Sequence, residues 1–199
     1  YAVRKPNGRW QAGRFVFPTI KGEEHGHLYG LLVDRDGHPW VHGLVGALRL
    51  DGAEVIRRVD RRLSTMTRNV NHLLHASDGA WWFATPQGVC RQAGHACAAL
   101  DAKRWMPAEW ALDLLEWPAG DVWVSVYQGG LHRLIGPHYQ QVGLPDGFMQ
   151  PINSDLIEVD GKLFFGNSDG LTRLDPKTGR IDNFRAGNEG MPRGNFMTD

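Results

Sequence analysis

The chain has 199 residues, and its 22 Lys plus Arg balance 22 Asp plus Glu, so the formal charge is zero. No basic stripe is present to hold a phosphate backbone, which argues against nucleic acid as a partner. No run approaches the roughly 18 apolar residues of a membrane-spanning helix, and 25 glycines, 11 prolines and 10% aromatics suit a chain of many short strands and tight turns.

In chain order, Tyr1–Arg4 reads as a strand, Asn7-Gly8 as a hairpin turn and Arg9–Phe17 as the next strand, so residues 1–17 are the end of one repeat unit. Residues 18–60 contain the strand Leu28–Val33, the turn and strand Asp36-Gly37-His38-Pro39-Trp40, the segment Gly46-Ala47-Leu48-Arg49-Leu50 and a last strand, Glu54–Val59. The same succession returns in residues 61–102, with Asn71–Ala76, Asp78-Gly79-Ala80-Trp81-Trp82, Gly88-Val89-Cys90-Arg91 and Ala96–Leu100. It returns in 103–143, with Leu112–Glu116, Gly120-Asp121-Val122-Trp123, Gly130-Leu131-His132-Arg133-Leu134 and Tyr139–Val142, and in 144–185, with Leu156–Val159, Asp160-Gly161-Lys162-Leu163-Phe164, Gly170-Leu171-Thr172-Arg173-Leu174 and Arg180–Phe184. Residues 186–199 start another unit.

The aromatics Trp40, Trp82, Trp123 and Phe164 are 42, 41 and 41 residues apart. A period near 40 belongs either to a propeller blade or to a helical solenoid unit, and the short apolar runs with Asp-Gly turns decide for strands. The predicted fold is all-β: a β-propeller of four-stranded antiparallel blades of about 41 residues, with about four and a half blades in this sequence and more expected beyond it. The recurring aromatics are expected to pack between blades, because each buries a large apolar area.

Cys90 and Cys97 fall on the third and fourth strands of one blade. Opposed positions there are close enough for a disulfide, which would fit an oxidising compartment; two small buried apolar side chains are the alternative. His25-x-His27 and His72-x-x-His75 have spacings that metal sites use, but no regular acidic or cysteine partners accompany them, so no metal and no cofactor is expected. Asp34-x-Asp36-Gly37 lacks the later ligands of a calcium loop and reads as the blade turn. No nucleophile elbow or phosphate loop is present, no catalytic residue is assigned, and Glu109, Glu116 and Asp155 read as surface carboxylates.

Ligand-binding candidates come from the connections between blades, which reach one rim of a rigid scaffold. Trp105 and Trp110, outside the repeat, lie in Lys103-Arg104-Trp105-Met106-Pro107-Ala108-Glu109-Trp110 and offer flat faces to a sugar. Arg68, Asn69, Asn153, Asn188 and Arg193 occupy equivalent connections, and Tyr127 lies between the second and third strands of its blade. Such loops converging at one mouth make a polar, aromatic-lined funnel.

The order Gly143-Leu144-Pro145, Asp160-Gly161, Phe164-Phe165-Gly166, Gly170-Leu171-Thr172-Arg173-Leu174, partly repeated in Gly190-Met191-Pro192, resembles the two-component regulator propeller repeat. The residue 61–102 unit lacks the Gly-Leu-Pro opening, and Trp40-Val41-His42-Gly43 is followed by Leu44-Val45 where small polar residues are usual. The resemblance implies a seven-bladed, periplasmic sensor propeller of an inner-membrane protein with a cytoplasmic histidine kinase or diguanylate cyclase. Its ligand would be an oligosaccharide or other small molecule, its partners the remaining blades and a second copy in a homodimer, and its only link to membrane the parent protein. A propeller lyase similar to streptogramin lyases, or a polysaccharide-active enzyme, is the alternative; a protein-binding assembly module is the third.

Overall fold

The computed structural model describes residues 2–4, 9–12, 27–44, 46–51, 54–58, 69–93, 96–99, 110–127, 129–135, 138–142, 152–167 and 170–185. Among them every regular element is a strand. A hairpin of β1 (Ala2–Arg4) and β2 (Trp10–Ala12) comes first. Four four-stranded sheets follow, each a simple antiparallel meander. The first holds β3 (Leu28–Val33), β4 (Pro39–Gly43), β5 (Gly46–Asp51) and β6 (Glu54–Arg58). The second holds β7 (His72–His75), β8 (Trp81–Thr85), β9 (Gly88–Ala93) and β10 (Ala96–Ala99). The third holds β11 (Ala111–Glu116), β12 (Asp121–Val126), β13 (Gly130–Ile135) and β14 (His138–Val142). The fourth holds β15 (Ile152–Val159), β16 (Lys162–Asn167), β17 (Gly170–Leu174) and β18 (Ile181–Arg185).

The strand registers explain why an aromatic and an arginine recur together. Trp40 lies directly opposite Arg49, Trp82 opposite Arg91, Trp123 opposite Arg133 and Phe164 opposite Arg173, so the repeated pair is one cross-strand contact made four times. Arg91 covers the Trp82 ring at 5.7 Å and Arg133 the Trp123 ring at 5.1 Å, while each guanidinium also meets an aspartate, Asp78 or Asp121. In the fourth sheet Arg173 turns to Phe184 at 5.4 Å and to Asp182.

The turn before each aromatic is built locally. Asp34, buried under the first turn, accepts the amides of Asp36 and His38 at 3.0 and 2.8 Å through Oδ1 and the Trp40 indole N–H at 2.8 Å through Oδ2. Gly37 takes φ = 84° and Gly79 φ = 79°, values that a side chain would strain. Burial alone would raise the Asp34 pKa, but these donors pull it below its usual value. Asp34, Asp36 and His38 do place ligand-type atoms within 4.8 Å of one another, yet both Asp34 oxygens already accept hydrogen bonds.

The apolar core is divided among the spaces between sheets. Trp40 packs with Val70, just before the second sheet, and with Leu73 and Phe83 of that sheet; Trp82 packs with Ala111, Leu114, Val122 and Val124 of the third; Trp123 packs with Leu156, Leu163 and Phe165 of the fourth. An aromatic removes roughly 200 Å² from water, a gross gain of about 5 kcal/mol before ordering costs, so each interface rests heavily on one residue per repeat.

Cys90 is disulfide-bonded. The β9–β10 hairpin closes with Ala93 opposite Ala96, which sets Cys90 against Ala99 and Cys97 against Gln92. The two cysteine positions are therefore diagonal on the hairpin and not opposed, as counting from the sequence suggests.

Candidate functional site

The first strands of the four sheets face a common space of about 430 Å³ lined by β3, β7, β11 and β15. One level of this channel is polar. Gly30, His72, Asp113 and Asp155 stand there at intervals of 42, 41 and 42 residues, so they are the same position of successive repeats. The register shifts between Leu28 and Gly30, between Ala111 and Asp113, and between Ile152 and Leu156. Bulges of this kind bend a strand and re-aim the side chains that follow.

At each step the second strand supplies a complementary size. Gly30 pairs with His42, His72 with Ala84 and Asp113 with Ser125, while Asp155 lies in the bulge that faces Gly166. A Cβ on Gly30 would come within 2.8 Å of His42 Nε2, so the His42 imidazole occupies the space that the glycine leaves. The ring of polar groups thus reads His42, His72, Asp113 and Asp155, one per repeat.

These groups are wired together across the sheets. His72 Nδ1 meets Asp113 Oδ1 at 2.6 Å, and the same oxygen accepts the Leu114 amide at 2.7 Å. That amide also lies 3.2 Å from His72 Nδ1, an approach that is no hydrogen bond when Nδ1 carries the proton shared with Asp113. Asp113 Oδ2 accepts the Leu156 amide from the fourth sheet, and Ser125 Oγ accepts the Asp113 amide at 3.1 Å. His42 meets His72 edge to face at 5.5 Å and donates Nδ1–H to the Val70 carbonyl at 3.2 Å.

The electrostatics separate the four. Burial works to lower the His72 pKa, but the Asp113 hydrogen bond and charge, helped by Asp155, carry it above the usual imidazole value. His42 is pushed down to about 4 by burial and by the neighbouring His72 charge, so it is neutral at pH 7. Asp155 is raised by burial and by Asp113, with His72 opposing.

No protein-family profile matches the chain, and no curated protein matches it. Solved structures do. An extracellular domain of B. thetaiotaomicron BT3049, described as a hybrid two component system, superposes with a TM-score of 0.75 at 15% identity over 99% of this chain and 30% of its own. The extracellular domain of BT4673 from the same organism, described as a one component system, gives 0.65 at 16% identity, covering 92% and 30%. A catalytically inactive histidine-to-alanine form of virginiamycin B lyase from Staphylococcus aureus, bound to quinupristin, gives 0.60 at 19% identity, covering 82% and 57%. The fold is that of a β-propeller. Each four-stranded sheet is a blade, its first strand lines the channel, and the chain spans about 30% of the two extracellular domains that it matches.

Of the rim residues expected to bind ligand, the propeller brings two together. Trp110, 57% exposed, immediately precedes β11, and Tyr127, 39% exposed, immediately follows β12. Their ring centroids are 6.2 Å apart and the Tyr127 amide donates to the Trp110 carbonyl at 2.8 Å. They stand three residues before Asp113 and two after Ser125, at the same end of the blade as the polar ring. Asn69 is half-buried at the equivalent start of the second blade, with Oδ1 buried and unpaired among the described residues. The Asn153 backbone belongs to β15, but its side chain lies outside the described residues, as do Arg68, Trp105, Asn188 and Arg193 altogether.

Two carboxylates that read as surface groups have other places. Asp155 lines the channel. The Glu116 side chain, 5% exposed, joins three blades at the opposite end of the first strands. It accepts Arg35 Nη2 at 3.0 Å, the Ser77 amide at 2.7 Å, the Ser77 hydroxyl and the Gly120 amide at 2.8 Å. Burial would raise its pKa, and these donors together lower it.

Proposed function

We propose that the chain belongs to an extracytoplasmic sensor propeller that binds an oligosaccharide or another small ligand at the channel mouth and acts by binding, without turnover. The carrying observation is the joint placement of a polar ring, His42, His72, Asp113 and Asp155, with an exposed aromatic pair, Trp110 and Tyr127, at the same end of the blades. Aromatic faces suit sugar C–H surfaces and the ring offers hydroxyl partners, the combination of a largely preformed site. The fold shared with two extracellular domains supports the reading, and a disulfide at Cys90 suits an oxidising compartment such as the periplasm. Relay to a cytoplasmic kinase or cyclase, closure by further blades and homodimerisation belong to the same proposal. Ligand must then favour one arrangement of the propeller or dimer, since equal affinity for both shifts nothing.

A second reading is favoured by one observation. The His72–Asp113 pair has the geometry of a base held by a carboxylate, and a propeller with a lyase's fold is among the structural neighbours. The two are separated by glycan-array binding with the full-length ectodomain, run beside an assay for new unsaturated or reducing ends. Binding without product, lost in Trp110→Ala with an unchanged melting temperature, supports the sensor; product formation abolished by His72→Gln establishes the lyase instead.

A further inference from the structure

The charges facing the channel can be paired off. Arg35 reaches the cavity, but its guanidinium is held by Glu116 at 3.0 Å. His72 is matched by Asp113 at 2.6 Å. His42 gives its Nδ1 proton to the Val70 carbonyl and is uncharged at pH 7. His75, the remaining imidazole of the lining, stacks on Trp81 at 4.3 Å and its Nδ1 receives the Arg35 amide at 3.3 Å. Both oxygens of Asp113 are occupied, by His72 and Leu114 on one side and Leu156 on the other. Asp155 is different: it is exposed, it lines the cavity, and the cation that acts on it, His72, is already held by Asp113 at 2.6 Å.

We propose that Asp155 is the recognition point for a protonated amine on the ligand, with Asp113 fixed behind it and the Trp110–Tyr127 pair at the rim above as an aromatic platform. This rests on the small-ligand sensor reading and sharpens it: the sugar unit seated in the channel is an amino sugar with a free amine, and uronate or sulfate groups are turned away. The physical basis is threefold. A carboxylate accepts charge-assisted hydrogen bonds from an ammonium, which are stronger than those from a hydroxyl. Exposed aromatic faces at the mouth, Trp110 and Tyr127, attract a cation on its way into the channel. An anionic ligand would be repelled by Asp155 and Asp113 together, and His72, the nearby cation, is already engaged by Asp113. The raised Asp155 pKa agrees with a carboxylate that gains from acquiring a cation.

The test is calorimetric titration of the full-length ectodomain at pH 6 with four probes: glucosamine oligomers, their N-acetylated counterparts, oligogalacturonates, and 1,4-diaminobutane as an amine without a sugar. The glucosamine oligomers are expected to bind about tenfold tighter than the acetylated ones, the range of one charge-assisted bond, with the galacturonates weakest. Asp155→Asn is expected to erase the preference while leaving the weaker acetylated binding in place. Equal or tighter binding of acetylated or acidic oligomers by the wild-type protein overturns the amine inference and leaves the sugar sensor standing. Binding of the diamine with silence from every sugar supports the amine site and overturns the sugar reading. Silence from all four probes overturns both.

Discussion

His42 makes the stability of the channel wall depend on acid. Its ring is 2% exposed, fills the space over Gly30 and donates to the Val70 carbonyl, and its pKa is pushed from 6.5 down to about 4. With the folded value below the unfolded one, the unfolded chain takes up the proton first as pH falls. Stability that is fully present above about pH 6.5 is lost progressively down to 4. At 1.36 kcal/mol per unit, the wild-type ectodomain should lose about 3 kcal/mol between pH 7 and pH 4 through this residue alone. Asp155, with its pKa raised, acts in the opposite sense on acidification, so the effect must be read as a difference. Urea unfolding of wild type and His42→Gln, followed by tryptophan fluorescence at pH 7 and pH 4, supplies it: the variant starts less stable and loses about 3 kcal/mol less on acidification. Parallel losses in the two proteins would refute the reasoning, because the buried neutral imidazole would then carry no pH dependence.

Two further perturbations test the packing around the site. Gly30→Ala should cost about 1 to 3 kcal/mol, since the new methyl lies 2.8 Å from His42 Nε2, and adding His42→Ser should return most of it; additive losses in thermal melts would deny the contact. Glu116→Ala strips acceptors from Arg35, Ser77 and Gly120 and should cost about 3 kcal/mol, whereas a melting temperature unmoved within error would mean the junction contributes nothing.

The fold was legible because its determinants repeat in kind. Trp40 and Arg49, Trp82 and Arg91, and Trp123 and Arg133 recur as cross-strand pairs, and the longer spacing of the third pair, ten residues against nine, is visible as the doubled Gly129-Gly130. The polar ring was hidden because it repeats in place but not in kind: glycine, histidine and two aspartates share one register position, and bulges shift the count just before it. The signal was still in the sequence, as polar or glycine residues at 30, 72, 113 and 155 spaced by the repeat period. Glu116 could not be placed the same way. Its burial depends on Arg35, which lies 81 residues earlier and is brought close only when three blades assemble. The cysteine register failed for a local reason, since the closing pair Ala93–Ala96 decides which residues oppose and this sits at the hairpin tip.

The pairing of one large with one small residue inside each blade has a consequence for how such a channel changes over generations. His72 with Ala84, Asp113 with Ser125 and Gly30 with His42 each settle their volume within a single sheet. A lineage that changes one station therefore works mainly within one blade, but it must also answer to the next blade, since His72 is bonded to Asp113 and Ala84 shares the apolar cluster of Trp82. Selectivity and architecture thus meet on the second strands, where His42, Ala84 and Ser125 each stand two residues from the packing aromatic, so a new ligand is explored beside the residues that hold the blades together.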